Sequence, residues 1–391
     1  MINARALGLI VLLCVRIARA AEPAVKFSHG LPTDDGYFPI AVWMQQPSNA
    51  EKYKAIGINL YVGLWDGPTV EKLAELDKAG MSVVCEQDAD SFIDRKTIVG
   101  WMHGDEPDNA QEKKSGGYGP PIKPEKIVAD YEQMRKADPT RPVLLNLGQG
   151  VAWDGWIGRG ERTNKPEDYP RYAKGADIVS FDIYPAVHDN KAVAGKLWYV
   201  AQGTERLVKW CEGHKPVWTC IETTHISNPK RKPTPKQVRA EVWMAITHGA
   251  RGIMYFAHEF KPKFIAAGLL ADKEMSAAVK QINAEVTSLA AVLNASQTDE
   301  HDNAVKPGFS RADSNNPGAP IAWIDRVHHG VRYVFAVAIR GGHSNATFST
   351  TLNGNFTVEV IGENRTIAAT DGRWSDSFDG YDVHLYRMAG K

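Results

Sequence analysis

The sequence predicts a (β/α)8 TIM barrel followed by a small C-terminal antiparallel β-sandwich, and three observations carry that prediction. Short apolar runs alternate with amphipathic stretches from residue 38 to residue 295. The runs are apolar throughout, as parallel strands buried on both faces must be. From about residue 298 the helical period vanishes and short strands with turn signals take over. The predicted division is a signal peptide over 1–20, a barrel over 21–297 and a β-sandwich over 298–391.

The elements follow in order. FPIAVWM at 38–44 reads as the first strand, 49–56 as a short helix and 59–64 as the second strand. A helix at 69–79 stops at Gly80, and strands three and four occupy 82–86 and 98–103. Residues 124–137 form a helix with apolar spacing at Ile127, Val128 and Tyr131. PVLLNL at 142–147 is strand five, 168–174 a weakly patterned helix and DIVSFDIY at 177–184 strand six. A helix at 194–211 leads into PVWTCIE at 216–222, strand seven. Thr234 caps the next helix, 234–248, with Pro235 at its first position. GIMYF at 252–256 is strand eight, and 275–293 is the closing helix. Eight strand–helix units in this order match a TIM barrel. A doubly wound open sheet would require a glycine-rich phosphate turn after an early strand, and none is present. Strands at 321–326, 330–339, 347–352, 357–361 and 383–386 make up the sandwich.

Charge narrows the partner. The chain has 46 basic and 46 acidic residues, which leaves no electrostatic footprint for nucleic acid or an anionic membrane. A neutral ligand is expected, and eleven Trp include candidates for flat sugar platforms. Arg5, an apolar run over 6–15 and the small-x-small site Ala18-Arg19-Ala20 read as a secretory signal, too short to span a bilayer. A soluble exported protein, secreted or periplasmic, is expected. Cys85, Cys211 and Cys220 remain after that leader, too few and odd in number for a disulfide framework. No Cys/His spacing fits zinc, and no metal or cofactor is expected.

In a barrel the C-terminal ends of the strands face the active site. Those ends carry Trp43, Trp65, Glu86, Asp105, Glu106 and Asn146, then Asp182, Tyr184, Glu222 and His258. Carboxylates, amides and aromatics predominate there and positive charges are few. A phosphate would want Arg, Lys or a glycine nest; a sugar wants this set. Glycoside hydrolysis needs two carboxyl groups flanking one bond, one neutral and one ionised. Glu106, in GWMHGDEPD, ends strand four, and Glu222, in KPVWTCIETT, ends strand seven. Strand ends three steps apart around the ring can bring two carboxyls to about 5–5.5 Å. Trp43 and Trp65 are candidate sugar platforms, and Asn146 and His258 candidate polar contacts.

In this layout residues 38–293 resemble the clan A retaining glycoside hydrolases. The resemblance implies Glu106 as acid/base and Glu222 as nucleophile. It also places Tyr184 where the clan often has a residue hydrogen-bonded to the nucleophile. One departure stands out: the clan usually has Asn before the acid/base, and this chain has Asp105. An Asp-Glu pair after strand four also resembles hexosaminidases that use substrate assistance, in which Asp105 would hold an N-acetyl group and Glu222 would only bind. Two further alternatives are a non-catalytic carbohydrate-binding barrel and a metal-dependent hydrolase. The latter wants His pairs, and His103, His225 and His258 form no HxH signature.

Overall fold

The computed structural model describes residues 27–295, 308–310, 318–350, 352 and 354–389. The expected leader and the expected domain boundary lie outside the described residues.

Eight parallel strands close into a barrel: β1 (Ile40–Trp43), β2 (Leu60–Val62), β3 (Ser82–Glu86), β4 (Ile98–Met102), β5 (Val143–Leu147), β6 (Ile178–Phe181), β7 (Val217–Glu222) and β8 (Gly252–Phe256). They pair in sequence order, and β8 returns to β1 with Tyr255 opposite Val42. Alternation along each strand splits the apolar residues into two sets. Ala41, Leu60, Val84, Leu144, Trp218 and Met254 fill the barrel interior. Val42, Tyr61, Val83, Leu145, Val179 and Ile253 face outward into the helical layer. Both sets are fully buried, which is why the strands read as unbroken apolar runs.

The helices are α1 (Ala50–Ala55), α2 (Val70–Ala79), α3 (Ala89–Phe92), α4 (Pro124–Ala137), α5 (Tyr169–Tyr172), α6 (Trp198–Trp210), α7 (Pro235–Thr247), α8 (Gly268–Ala271), α9 (Lys273–Ser288) and α10 (Ala290–Asn294). The predicted 275–293 helix is therefore two helices, parted at Leu289. α7 begins as its sequence dictates. The Thr234 hydroxyl accepts from the Gln237 N–H, and the Gln237 carboxamide oxygen accepts from the Thr234 N–H. Below β4, Trp101 Nε1 donates to Asp138 Oδ2 at 2.9 Å, and that carboxylate pairs with Arg141 at 2.7 Å. Arg141 also donates to the Ile98 carbonyl at 2.7 Å, so the buried charge is both paired and bonded to the strand. Cys85, Cys211 and Cys220 are free and buried.

The C-terminal part is antiparallel. β9 (Gly308–Ser310), β10 (Ile321–His328), β11 (Val331–Ala338), β12 (Ser344–Ser349), β13 (Phe356–Val360), β14 (Arg365–Ala369), β15 (Arg373–Phe378) and β16 (Val383–Ala389) form two sheets. Six strands run in the order β14-β13-β16-β11-β10-β9, and β12 pairs with β15. Phe348, Trp374 and Phe378 of the small sheet pack on Val334, Ala336 and Tyr386 of the large one. The opposite face of β11, with Phe335 and Val337, joins the core of the barrel's helical layer. Its sequence VRYVFAVA is apolar on both faces because both are covered. Trp374 belongs to this inter-sheet core. It is 3% exposed and stacked on Phe348, because β15 and β12 form a pair that the polar alternation of RWSDSF concealed. Among the described residues, no helix is long and apolar enough to cross a membrane.

Candidate active site

A two-lobed cleft opens at the C-terminal ends of the strands. The larger lobe, about 450 Å³, is lined by Glu106, Asp182, Tyr184 and His188, with Trp153 and Trp156 forming one wall. The smaller, about 290 Å³, is lined by Trp43, Trp65, Met102 and His258 among others. Asp105, Phe256 and Phe260 border both lobes.

Glu106 sits just past β4 with φ at +43°, a left-handed conformation that is strained for a non-glycine residue. Its carboxyl is held from three sides. Asn109 Nδ2 donates to Oε2 at 2.7 Å, and Trp156 Nε1 donates to Asn109 Oδ1 at 2.9 Å, tying the tryptophan wall to the acid. Gly148, just after β5, allows close approach: a Cβ there would lie 2.8 Å from Glu106 Oε1. On the third side Glu106 meets Asp182, just beyond β6, within hydrogen-bonding reach. Burial, then the charges of Asp182, Asp105 and Asp108, push Glu106 well above the usual carboxylate range. Burial also raises Asp182, with Asp105 adding to it. In its neutral form Glu106 can donate to an ionised Asp182. Asp182 Oδ1 is buried and accepts no hydrogen bond from an N–H or hydroxyl donor, and the Tyr184 hydroxyl faces the same carboxylate.

Asp105 is pushed up to about 6, chiefly by burial and opposed by the hydrogen bond from Asn146. That bond, Asn146 Nδ2 to Asp105 Oδ1, is 2.9 Å, and Asn146 in turn accepts from Ser180 Oγ at 2.7 Å. His188 Nδ1 accepts from the Asn190 N–H, so Nε2 carries the proton and donates to Gln149 at 2.9 Å. Its ring stands edge-on to Trp153, with centroids 5.7 Å apart.

The structure thus gathers Asp105, Glu106 and Tyr184 in one lobe and Trp43, Trp65 and His258 in the other. Asn146 lines neither lobe and acts from beneath, on Asp105. Glu222 is elsewhere. Its carboxylate is fully buried and accepts from the main-chain N–H of Ala186 at 2.6 Å and of Val187 at 3.0 Å. It faces Glu241 of α7, another fully buried carboxyl. Glu222 lines neither lobe, and the carboxyl within reach of Glu106 belongs to Asp182. The reason is local, since the backbone amides after β6 capture the Glu222 side chain. Sequence reasoning also missed Asn109, Trp153, Trp156 and His188. The signal for the tryptophans is WDGW, directly after strand five on the catalytic face. Among the described residues, no group of three His, Cys, Asp or Glu is arranged to hold a metal ion.

Comparison with known proteins agrees with this architecture. Residues 125–285 match a family model described as beta-galactosidase. A structure described as a glycoside hydrolase shares 12% identity with a TM-score of 0.52, covering 91% of this chain and 93% of that one. Alpha-galactosidase I from Mortierella vinacea aligns at 7% identity and a TM-score of 0.49, over 92% and 98% of the two chains. The family 30 subfamily 8 xylanase Xyn30A from Clostridium acetobutylicum aligns at 12% identity and a TM-score of 0.47, over 90% and 96%. No curated protein matches the sequence. The resemblance to barrel glycoside hydrolases holds in sequence over part of the barrel and in fold over most of the chain.

Proposed function

We propose that the protein is a glycoside hydrolase acting on O-glycosidic bonds of oligo- or polysaccharides, with Glu106 as general acid and Asp182 as the second carboxylate. The observation that carries this reading is the adjacent Glu106 and Asp182 carboxyls lining a tryptophan-walled cleft. A general acid must be neutral at the working pH, and Glu106 is kept neutral by burial and three acidic neighbours. As its proton passes to the glycosidic oxygen, Asp182 is left ionised opposite the anomeric carbon. Carboxyls in mutual contact are closer than both the roughly 5–5.5 Å of a retaining pair and the roughly 6.5–9.5 Å of an inverting one, so the two must part to admit the sugar. Glu222 as nucleophile would have to leave two backbone amides and a buried neighbour to reach the sugar. Its role in this reading is to hold the strand-six loop that carries Asp182, Tyr184 and His188. The partial match to a beta-galactosidase model makes β-galactosides the first substrates to try. Export rests on the pattern of residues 1–20, and amino-terminal sequencing of the mature protein tests it.

The second reading is substrate assistance by Asp105 beside Glu106. One observation favours it: Asp105 borders both lobes and is oriented by Asn146, as a residue holding an N-acetyl group would be. A glycoside panel that includes N-acetylhexosaminides, run on wild type, Glu106→Gln, Asp182→Asn and Glu222→Gln, separates the possibilities. The proposal expects near-complete loss in the first two variants and retained activity on simple galactosides or glucosides in wild type. Turnover confined to N-acetylhexosaminides supports the second reading. Sugar binding without any turnover supports a non-catalytic barrel.

A further inference from the structure

The two lobes differ in what they offer a ligand. In the larger lobe six polar residues, Glu106, Gln149, Asp182, His188, Asn190 and Ser227, stand around the tryptophan wall, several already bonded to one another or to the backbone. A sugar ring taken out of water needs that many partners for its hydroxyls. The smaller lobe is lined instead by Trp43, Met44, Leu64, Trp65, Met102 and Phe256. Its polar members are fewer, namely Glu86, His103, Asp105 and His258, and the buried Nδ1 of His258 meets no hydrogen-bond partner. His103 Nε2 is bonded to the Gly175 carbonyl at 2.8 Å, and His258 Nε2 lies 3.1 Å from the Met44 carbonyl. Glu86 stands on the exposed rim and Asp105 at the border with the other lobe. A second sugar placed here would lose water from its hydroxyls and gain few bonds.

From this contrast we infer that the smaller lobe receives an apolar aglycone carrying an aromatic ring, so that the substrate is an aryl- or arylalkyl-type glycoside with its sugar in the larger lobe. The inference rests on the glycosidase reading for its catalytic arm. The chemistry is complementary: thioether sulfurs of Met44 and Met102 and the faces of Trp65 and Phe256 suit a ring. The size fits as well, since a cavity of about 150 Å³ already takes benzene and this lobe holds about 290 Å³. Glu106 lines the larger lobe beside the Asp105 border, so the scissile bond falls between the two. The bond from the anomeric carbon to the aglycone oxygen breaks and Glu106 gives that oxygen its proton; the hydroxyl of a water ends on the anomeric carbon, and the water's other proton returns to Glu106.

The test compares benzyl and methyl glycosides of one sugar, whose leaving alcohols have similar acidity, so that the difference reads binding. Wild type is expected to favour the benzyl glycoside in kcat/KM by about tenfold or more, the effect of burying one ring. Trp65→Ala is expected to cut that ratio several-fold. A wild-type ratio within twofold of unity overturns the inference. A second measurement is independent of turnover: the methionine methyl NMR signals of Met44 and Met102 are followed as benzyl alcohol or methyl galactoside is added. Saturable shifts with benzyl alcohol alone support the lobe assignment even if no glycoside is cleaved, in which case it is the glycosidase reading that fails. Unmoved signals, or equal shifts with the methyl sugar, overturn it.

Discussion

Glu241 of α7 lies carboxyl to carboxyl against Glu222 at the end of β7, and neither oxygen of Glu241 meets an N–H or O–H donor. Burial and the Glu222 charge favour the protonated form of Glu241, the form that can donate to Glu222, whose two oxygens already accept the amides of Ala186 and Val187. Burial pushes Glu222 up to about 7 and Glu241 well above the ordinary range. Raised folded-state values mean that the native protein binds protons more tightly than the unfolded chain. The stabilisation is full below about pH 4.5 and is lost as pH rises through the folded values. Thermal melts of wild type are expected to show falling stability from pH 5 to pH 8. Glu241→Gln keeps a donor for Glu222, so its melts should depend less on pH. Glu222→Ala strands two buried amides and is expected to cost about 3 kcal/mol in urea unfolding.

Under the proposed mechanism the Glu106–Asp182 pair sets the pH–rate profile. Glu106 must be protonated to act, so activity falls on the basic side as it ionises. The charge of Asp182 is the largest of those that raise Glu106. Asp182→Asn is therefore expected to move the basic limb of any residual activity to lower pH. Glu106→Gln should lose about 10²–10⁴ in kcat. Steady-state rates across pH, with circular dichroism to verify folding, check both.

Asn146 is a positioning residue beneath Asp105. Its hydrogen bond stabilises the ionised carboxylate and opposes the rise to about 6. Asn146→Leu removes that bond, so Asp105 is expected to titrate at still higher pH, and under the substrate-assistance reading, in which Asp105 must be charged, the acid limb of the profile shifts upward. A merely structural role for Asn146 would lower activity without moving the limb.

Gly203, inside α6, sets propensity against packing. In an exposed helix Gly→Ala gains up to about 1 kcal/mol. A Cβ at Gly203 would meet the Phe181 ring and lie 2.9 Å from the Ala152 Cβ. Gly203→Ala is expected to destabilise by about 1–3 kcal/mol, and a lowered melting temperature is the readout. An unchanged or higher one would show that β6 yields freely to α6.

The barrel was legible because strands buried on both faces print as unbroken apolar runs, and because ends such as Thr234-Pro235 carry their own chemistry. Glu106 was legible for a related reason: the fold rule says which end of a strand reacts. Its partner was not. Asp182 and Glu222 both end strands, and nothing in local spacing says that one turns to the cleft while backbone amides from another loop hold the other. Trp153 and Trp156 sit in an irregular connection without periodicity, where no element rule aims a side chain. β14 and β15 escaped because short polar alternation, as in RTIAA and RWSDSF, reads like loop. Only their pairing with β13 and β12 makes them strands.

Helix α7 shows more than one layer of use. Arg239 pairs with Glu285 at 2.8 Å and reaches the Val383 carbonyl at 3.0 Å, and the Trp243 ring lies 5.1 Å from that of Phe335. Glu241, between them, reaches the strand-seven glutamate. One rod thus fastens the rim of the reaction chamber and the accessory sheet together. Damage to the distant sheet should be felt at the mouth, and the two halves should come apart in a single cooperative melt rather than as separable modules.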